Sequence, residues 1–175
     1  RNHLFSHNLH GHQINRQVNR REAGGYNTLH AGQDALFCAD RQYIGVDLQY
    51  GPDGAVYISD WYDPRHCHNP DVEQWDRGNG RIYRMKYDAT YKPVTIDYDL
   101  ARDDQLVQAQ VHGNAWHARI ARLVLAERAA EGNVAKSAVE SLRNLAIEHD
   151  EVAIRLRALW GVHAAGAMDA AFFNR

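Results

Sequence analysis

Asp60, Asp63, Arg65, His66, Cys67 and His68, with Arg77 further on, form the densest polar constellation in the sequence. Carboxylate and imidazole groups side by side can coordinate a metal or transfer protons, and two guanidinium groups can hold an anionic cofactor. On an extended backbone His66 and His68 face one site, and Cys67 points away. No CxxC or HExxH spacing accompanies them, so the metal set on offer is the loose one of His66, His68 and Asp60. The competing reading is structural. Asp60 and Asp63 would accept hydrogen bonds from the loop's own amides, while Trp61, Tyr62 and Trp75 pack. The residue types alone leave both readings open.

These residues need a frame, and the flanking sequence describes one. Gly51-Pro52-Asp53-Gly54 is turn chemistry. After it, Ala55 to Trp61 alternates, with Val56 and Ile58 on one face and Tyr57 and Trp61 on the other. Ile44 to Tyr50 enters the turn with Ile44, Val46 and Leu48 on one face and Asp47 and Gln49 on the other. Gly80 to Met85 gives the next strand, so Tyr62 to Asn79 is a long loop between strands, a form that usually carries a function. Upstream, His3 to Leu9 and Gln13 to Val18 read as a hairpin. His10 and His12 would share a strand face there, as a solvated edge rather than a metal pair. Arg20 to Gly25 reads as a polar turn. Tyr26 to Tyr43 reads as irregular, with Phe37 and Cys38 as core contacts.

Composition then shifts. Lys86 to Tyr98 reads as a linker or a final edge strand. From Asp103 the pattern is helical and alanine-rich. One helix, capped by Asp103 or Asp104, runs to about His112, and a second spans about Ala115 to Ala130, with Trp116, Ile120, Leu123 and Val124 in register. A third covers about Ala135 to Glu148, with Val139, Leu142, Leu145 and Ala146 on one side. A fourth, capped by Asp150, buries Val152, Leu156, Leu159 and Trp160. The run from Arg119 to Leu123 matches that from Arg155 to Leu159, the mark of a helical-hairpin repeat of HEAT type, with Ala167 to Phe173 opening a further pair. The repeated arginines suit either a binding face or solvated, carbonyl-capping roles. The expected fold is therefore β then α: antiparallel strands over 1–98, then HEAT-like helical repeats over 99–175.

The 175 residues carry a formal charge of −2, which gives no electrostatic reason to expect nucleic acid. No apolar run approaches membrane-spanning length. The chain opens on Arg1 without a signal sequence, and we read it as a piece of a longer protein. Cys38 and Cys67 do not make a disulfide framework; a single bridge between them stays open beside Cys38 as a buried free thiol.

The segments NLHGHQIN (8–15), DLQYGPDGAVYISDW (47–61), Cys67-His68, GNGRIYRM (78–85) and NAWHARIARLVLAER (114–128) together resemble one family. It is that of the membrane-bound dehydrogenases, also described as PVC-type haem-binding proteins. Their propeller is similar to that of the glucose/sorbosone dehydrogenase class. The resemblance implies a six-bladed propeller, of which this chain supplies the last blade or so, followed by HEAT repeats and commonly a cytochrome c domain. It implies oxidation of a sugar or related alcohol, with a PQQ-like quinone or calcium in the propeller, electrons passing to c-type haem, and a periplasmic or cell-surface location. The partners implied are the rest of the propeller and the cytochrome domain. Asp60, Asp63, Arg65, His66, His68 and Arg77 would be the residues near the central pocket. No CxxCH occurs here, so haem attachment would lie outside these residues. The catalytic His and much of the quinone pocket come from earlier blades in the relatives and have no counterpart in this chain. The alternative function is a non-catalytic module binding a protein or glycan.

Overall fold

The computed structural model describes residues 3–64 and 78–174, which fall into two compact units, Arg1–Tyr91 and Lys92–Arg175. Antiparallel sheets make up the first and helices the second.

In the first unit β1 (His3–Asn8), β2 (Gln13–Glu22) and β3 (Gly25–His30) form an antiparallel meander, and the short β4 (Leu36–Phe37) pairs with the start of β2. The β1–β2 reversal is tied by the Gly11 amide donating to Asn8 Oδ1 at 2.9 Å, and it ends on a left-handed His12 at φ 53°. His10 and His12 thus sit in the turn and not on a shared strand face, because the chain reverses around Gly11.

Two further expectations are corrected in this meander. The turn expected over Arg20 to Gly25 shrinks to Ala23 and Gly24, and the stretch read as irregular contains β3 and β4. The outer part of this hairpin is exposed on both faces, so no apolar alternation marks it. Its ladder pairs Asn19 with Thr28 and Arg20 with Asn27, and the Thr28 hydroxyl donates to Asn19 Oδ1 at 2.7 Å.

The second sheet is the meander β5 (Gly45–Tyr50), β6 (Val56–Asp60) and β7 (Arg81–Met85). The turn between β5 and β6 forms as its residues require. The Gly51 amide donates to the Ala55 carbonyl at 2.9 Å, Asp53 Oδ1 accepts the Ala55 amide at 3.0 Å, and Gly54 takes φ 75°. A register shift between Gly45 and Asp47 breaks the expected alternation in β5. Ile44 is buried and Leu48 half-buried, but Val46 is 54% exposed. Ile14, Tyr43 and Ile58 form the buried centre of the unit, flanked by Leu36, Cys38, Leu48, Val56 and Met85. Phe37, expected in the core, is 72% exposed. Cys38 packs on the core as a free thiol, while Cys67 lies outside the described residues. After β7 no further strand occurs among the described residues: a turn forms at Tyr87–Tyr91, whose Tyr91 hydroxyl donates to Asp53 Oδ2 at 3.0 Å, and Tyr98 is buried.

The second unit holds α1 (Asp103–Gln108), a 3₁₀ turn (Ala109–Val111), α2 (Ala115–Ala130), α3 (Lys136–Glu148), α4 (Val152–Ala164) and the short α5 (Ala170–Phe173). Asn114 caps α2 by accepting the Trp116 amide at 3.0 Å. Asp103 lies inside the first turn of α1 and links three helices. It accepts from Arg128 of α2 at 2.6 Å and from the Ala135 amide, at the start of α3, at 2.7 Å. Asp150 does not cap α4; Glu151 occupies that position, without a side-chain bond.

The buried faces of α2 and α4 mix small residues with Val124, Leu125, Ile154 and Val162, so Val124 is buried as expected while other expected positions are not. In α4 the chain buries Ile154, Ala158, Gly161 and Val162, whereas Val152, Leu156 and Trp160 are 58%, 43% and 52% exposed and Leu159 is half-buried. In α2 Ala118, Ala121, Val124 and Leu125 are buried, and Leu123 is 57% exposed. Ala and Gly let helix backbones approach closely and so take positions in the inward stripe, while Leu123, Val152, Leu156 and Trp160 lie outside it. Leu142 of α3 and Tyr98 complete this core, with the Tyr98 hydroxyl 2.9 Å from His117 Nδ1.

Candidate functional site at the end of β6

Asp60 closes β6 and is 4% exposed. Its Oδ1 accepts two amides, Ile44 at 2.8 Å and Tyr62 at 2.9 Å. Two backbone bonds continue the pairing beyond the strand: the Trp61 amide donates to the Ile44 carbonyl at 2.9 Å, and the Asp63 amide to the Gln42 carbonyl at 3.0 Å. Tyr62 between them is left-handed, at φ 57°. A non-glycine residue in that region costs of order 1–3 kcal/mol and persists only where its surroundings fix it. The Asp60 carboxylate supplies that fixing. It holds the corner at which the chain leaves β6.

The structural reading of Asp60 is therefore the one its geometry supports. Its Oδ2, however, is buried with no hydrogen-bond partner among the described residues. The hydroxyl of Tyr43 is in the same condition, and that side chain is 3% exposed. Burial, then the charge of Asp60, pushes the Tyr43 phenol up to about 12. The same two causes raise the Tyr83 phenol, whose ring centroid lies 6.1 Å from that of Tyr43. Arg81, paired with Asp60 across the β6–β7 ladder, places its guanidinium 3.7 Å from the Tyr62 ring centroid. Beside this corner runs a groove of about 360 Å³ lined by Leu36, Cys38, Tyr43, Ile58, Tyr83 and Met85, among others. Chemically the corner offers a carboxylate oxygen without a partner among the described residues, and phenols held in their protonated, donating form.

The raised Tyr43 phenol makes the first prediction. Between the ordinary phenol value of ~10 and about 12, the unfolded chain loses the proton and the folded chain keeps it. The contribution is present in full below pH ~10 and is lost as pH rises through about 12. A spectrophotometric tyrosine titration should show a component ionising at about pH 12, beside the raised phenol of Tyr83. Tyr43→Phe should remove that component and flatten the alkaline loss of stability in denaturant melts; an unchanged late component would reject the assignment.

The other sequence candidates divide by position. Asp63 is buried, at 2% exposure, and its amide is used as described. Arg65, His66, His68 and Arg77, with Cys67 and Trp75, lie outside the described residues. Among the described residues no group of three or more His, Cys, Asp and Glu side chains is placed to hold a metal. Asp60 Oδ1 is already committed to amides, so the described part of the corner offers one free carboxylate oxygen and does not by itself make a calcium shell of six to eight oxygens. Sequence reasoning named Tyr62 only as a packing residue and missed Tyr43, Arg81 and Tyr83. The pairing of Asp60 with Arg81 was the signal available, since it follows from aligning the two strands around the loop.

Comparison with protein-family models, curated proteins and solved structures found nothing that matches this chain.

Proposed function

We propose that this chain is the closing part of a β-propeller of the sugar- or alcohol-oxidising type, followed by HEAT-like helical hairpins, acting in the periplasm or at the cell surface. Two consecutive antiparallel meanders in the first unit support a blade-by-blade reading, and successive packed helices in the second support the repeats. The observation that carries the functional part is the Asp60 corner. A buried carboxylate spends one oxygen fixing the loop's departure and leaves the other oxygen without a partner among the described residues. In this reading Asp60 is a positioning residue. It aims the loop that contains Asp63, Arg65, His66, His68 and Arg77 at a pocket completed by other blades, where a quinone or calcium would be held and from which electrons would leave towards a haem domain.

The test uses the protein at its full natural length. Calcium is measured by elemental analysis and quinone by absorbance, in the native protein and in His66→Ala and His68→Ala. The expected result is bound calcium or quinone that falls at least about tenfold in both variants, the loss usual when a metal site is disturbed. A protein that binds neither calcium nor added pyrroloquinoline quinone, with both variants unchanged, would overturn the reading in favour of a protein- or glycan-binding module.

A further inference from the structure

In the helical unit, Arg102, Arg128 and Arg143 each pair with a carboxylate, at 2.9, 2.6 and 2.6 Å to the nearest oxygen. Arg122 and Arg157 do not follow this pattern. Arg122 Nη1 donates to Gln110 Oε1 at 3.2 Å, and Arg157 Nη1 donates to the His112 carbonyl at 2.9 Å. Both acceptors are neutral, so both charges stay uncompensated by these bonds.

The supports are firm. Gln110 is fully buried, and its Nε2 donates to the Leu106 and Ala118 carbonyls at 3.1 and 3.4 Å, which turns its oxygen towards Arg122. Arg157 is held from the backbone at the end of the 3₁₀ turn. Arg119 adds charge to the same cluster: burial, then Arg157, then Arg119 draw the Arg122 guanidinium below its ordinary value. Two pre-oriented guanidinium groups on packed helices, in one another's field, raise the local potential for an anion.

The patch is also apolar. The Arg122 guanidinium carbon lies 5.4 Å from the ring centroid of Trp160, which is 52% exposed. Leu156, 43% exposed, is one turn before Trp160 on the same face of α4. Free phosphate would use the arginines and leave Trp160 and Leu156 in water. A segment with carboxylates beside apolar side chains uses all of them, and Trp and Arg are the residues that most often anchor such contacts.

We propose that the α2–α4 face around Arg122, Arg157 and Trp160 docks an acidic protein segment that carries apolar side chains between its carboxylates. This surface stands independently of the redox reading, since none of its residues belongs to the β6 corner.

The experiment is fluorescence anisotropy with the whole chain and a labelled peptide of Glu, Asp and Leu, beside the same peptide with Gln and Asn in place of its acids. The acidic peptide should bind, with the neutral one at least about tenfold weaker, and the affinity should fall as salt is raised. Arg122→Gln, Arg157→Gln and Trp160→Ala should each weaken binding about tenfold or more while circular dichroism stays native. Arg122→Lys, which keeps the charge and loses the planar fork, should fall between native and Arg122→Gln. Equal binding of both peptides would overturn the proposal. So would unchanged affinity in the folded Arg122→Gln and Arg157→Gln proteins, or sulfate or a single-stranded oligonucleotide displacing the peptide with no dependence on Trp160.

Discussion

Replacing Asp60 by alanine is expected to lower the stability of the sheet unit by about 3 kcal/mol, because it leaves the Ile44 and Tyr62 amides without their acceptor. Each buried, orphaned amide costs about 1–3 kcal/mol, and Tyr62 at φ 57° also loses the bond that fixes its conformation. Asp60→Asn is the informative partner. Its side-chain carbonyl can still accept both amides, so a purely structural Asp60 predicts a loss well under that of the alanine variant. Denaturant melts of the three proteins, with hydrogen exchange at Ile44 and Tyr62, would measure this. Alanine within about 1 kcal/mol of native, or unchanged protection of those two amides, would remove Asp60 from the account of the corner. If asparagine is as damaging as alanine, the charge on Oδ2 matters. That outcome would tie the corner to a cation or a donor and strengthen the redox reading.

The sequence makes the β-then-α order visible because periodicity changes from two to roughly three and a half, and the turn at Gly51–Gly54 is written in its residue types. What escaped it has identifiable causes. The outer part of the β2–β3 hairpin is exposed on both faces, so no alternation announces it. The bulge after Gly45 moves Val46 outward, an event that no pattern of apolar residues encodes. In α4 a search for large apolar residues finds Val152, Leu156 and Trp160, while packing selects Ala158 and Gly161. At the candidate site Asp60 was legible as a strand-end carboxylate. Tyr43 was not, because its burial depends on contacts from Ile14 and Ile58, which are distant in sequence.

The α3–α4 contact allows the packing argument to be tested with a sign change. Leu142 is fully buried, and a Cβ built on Gly161 would meet its Cδ2 at 2.9 Å, closer than real side chains approach. Leu142→Ala should cost about 3 kcal/mol, in the middle of the range for emptying a core leucine site. Gly161→Ala alone sets two opposed effects against each other. A gain of about 1 kcal/mol in helix propensity meets about 1–3 kcal/mol of overpacking against a fully buried leucine. The net should be neutral to destabilising. With Leu142 already shortened the obstacle is gone and only the propensity gain remains, so Gly161→Ala should then stabilise by about 1 kcal/mol. The coupling between the two positions should therefore reach about 1 kcal/mol or more, measured as a double-mutant cycle by chemical denaturation. Additive effects would mean that the helices do not meet at this pair, and the small-residue stripe would lose its role in placing α4. Because α4 carries Arg157 and Trp160, loosening it at Leu142 should also weaken the acidic peptide's binding. The effect on affinity should be smaller than that of Arg157→Gln, since the side chains that make the contact remain in place.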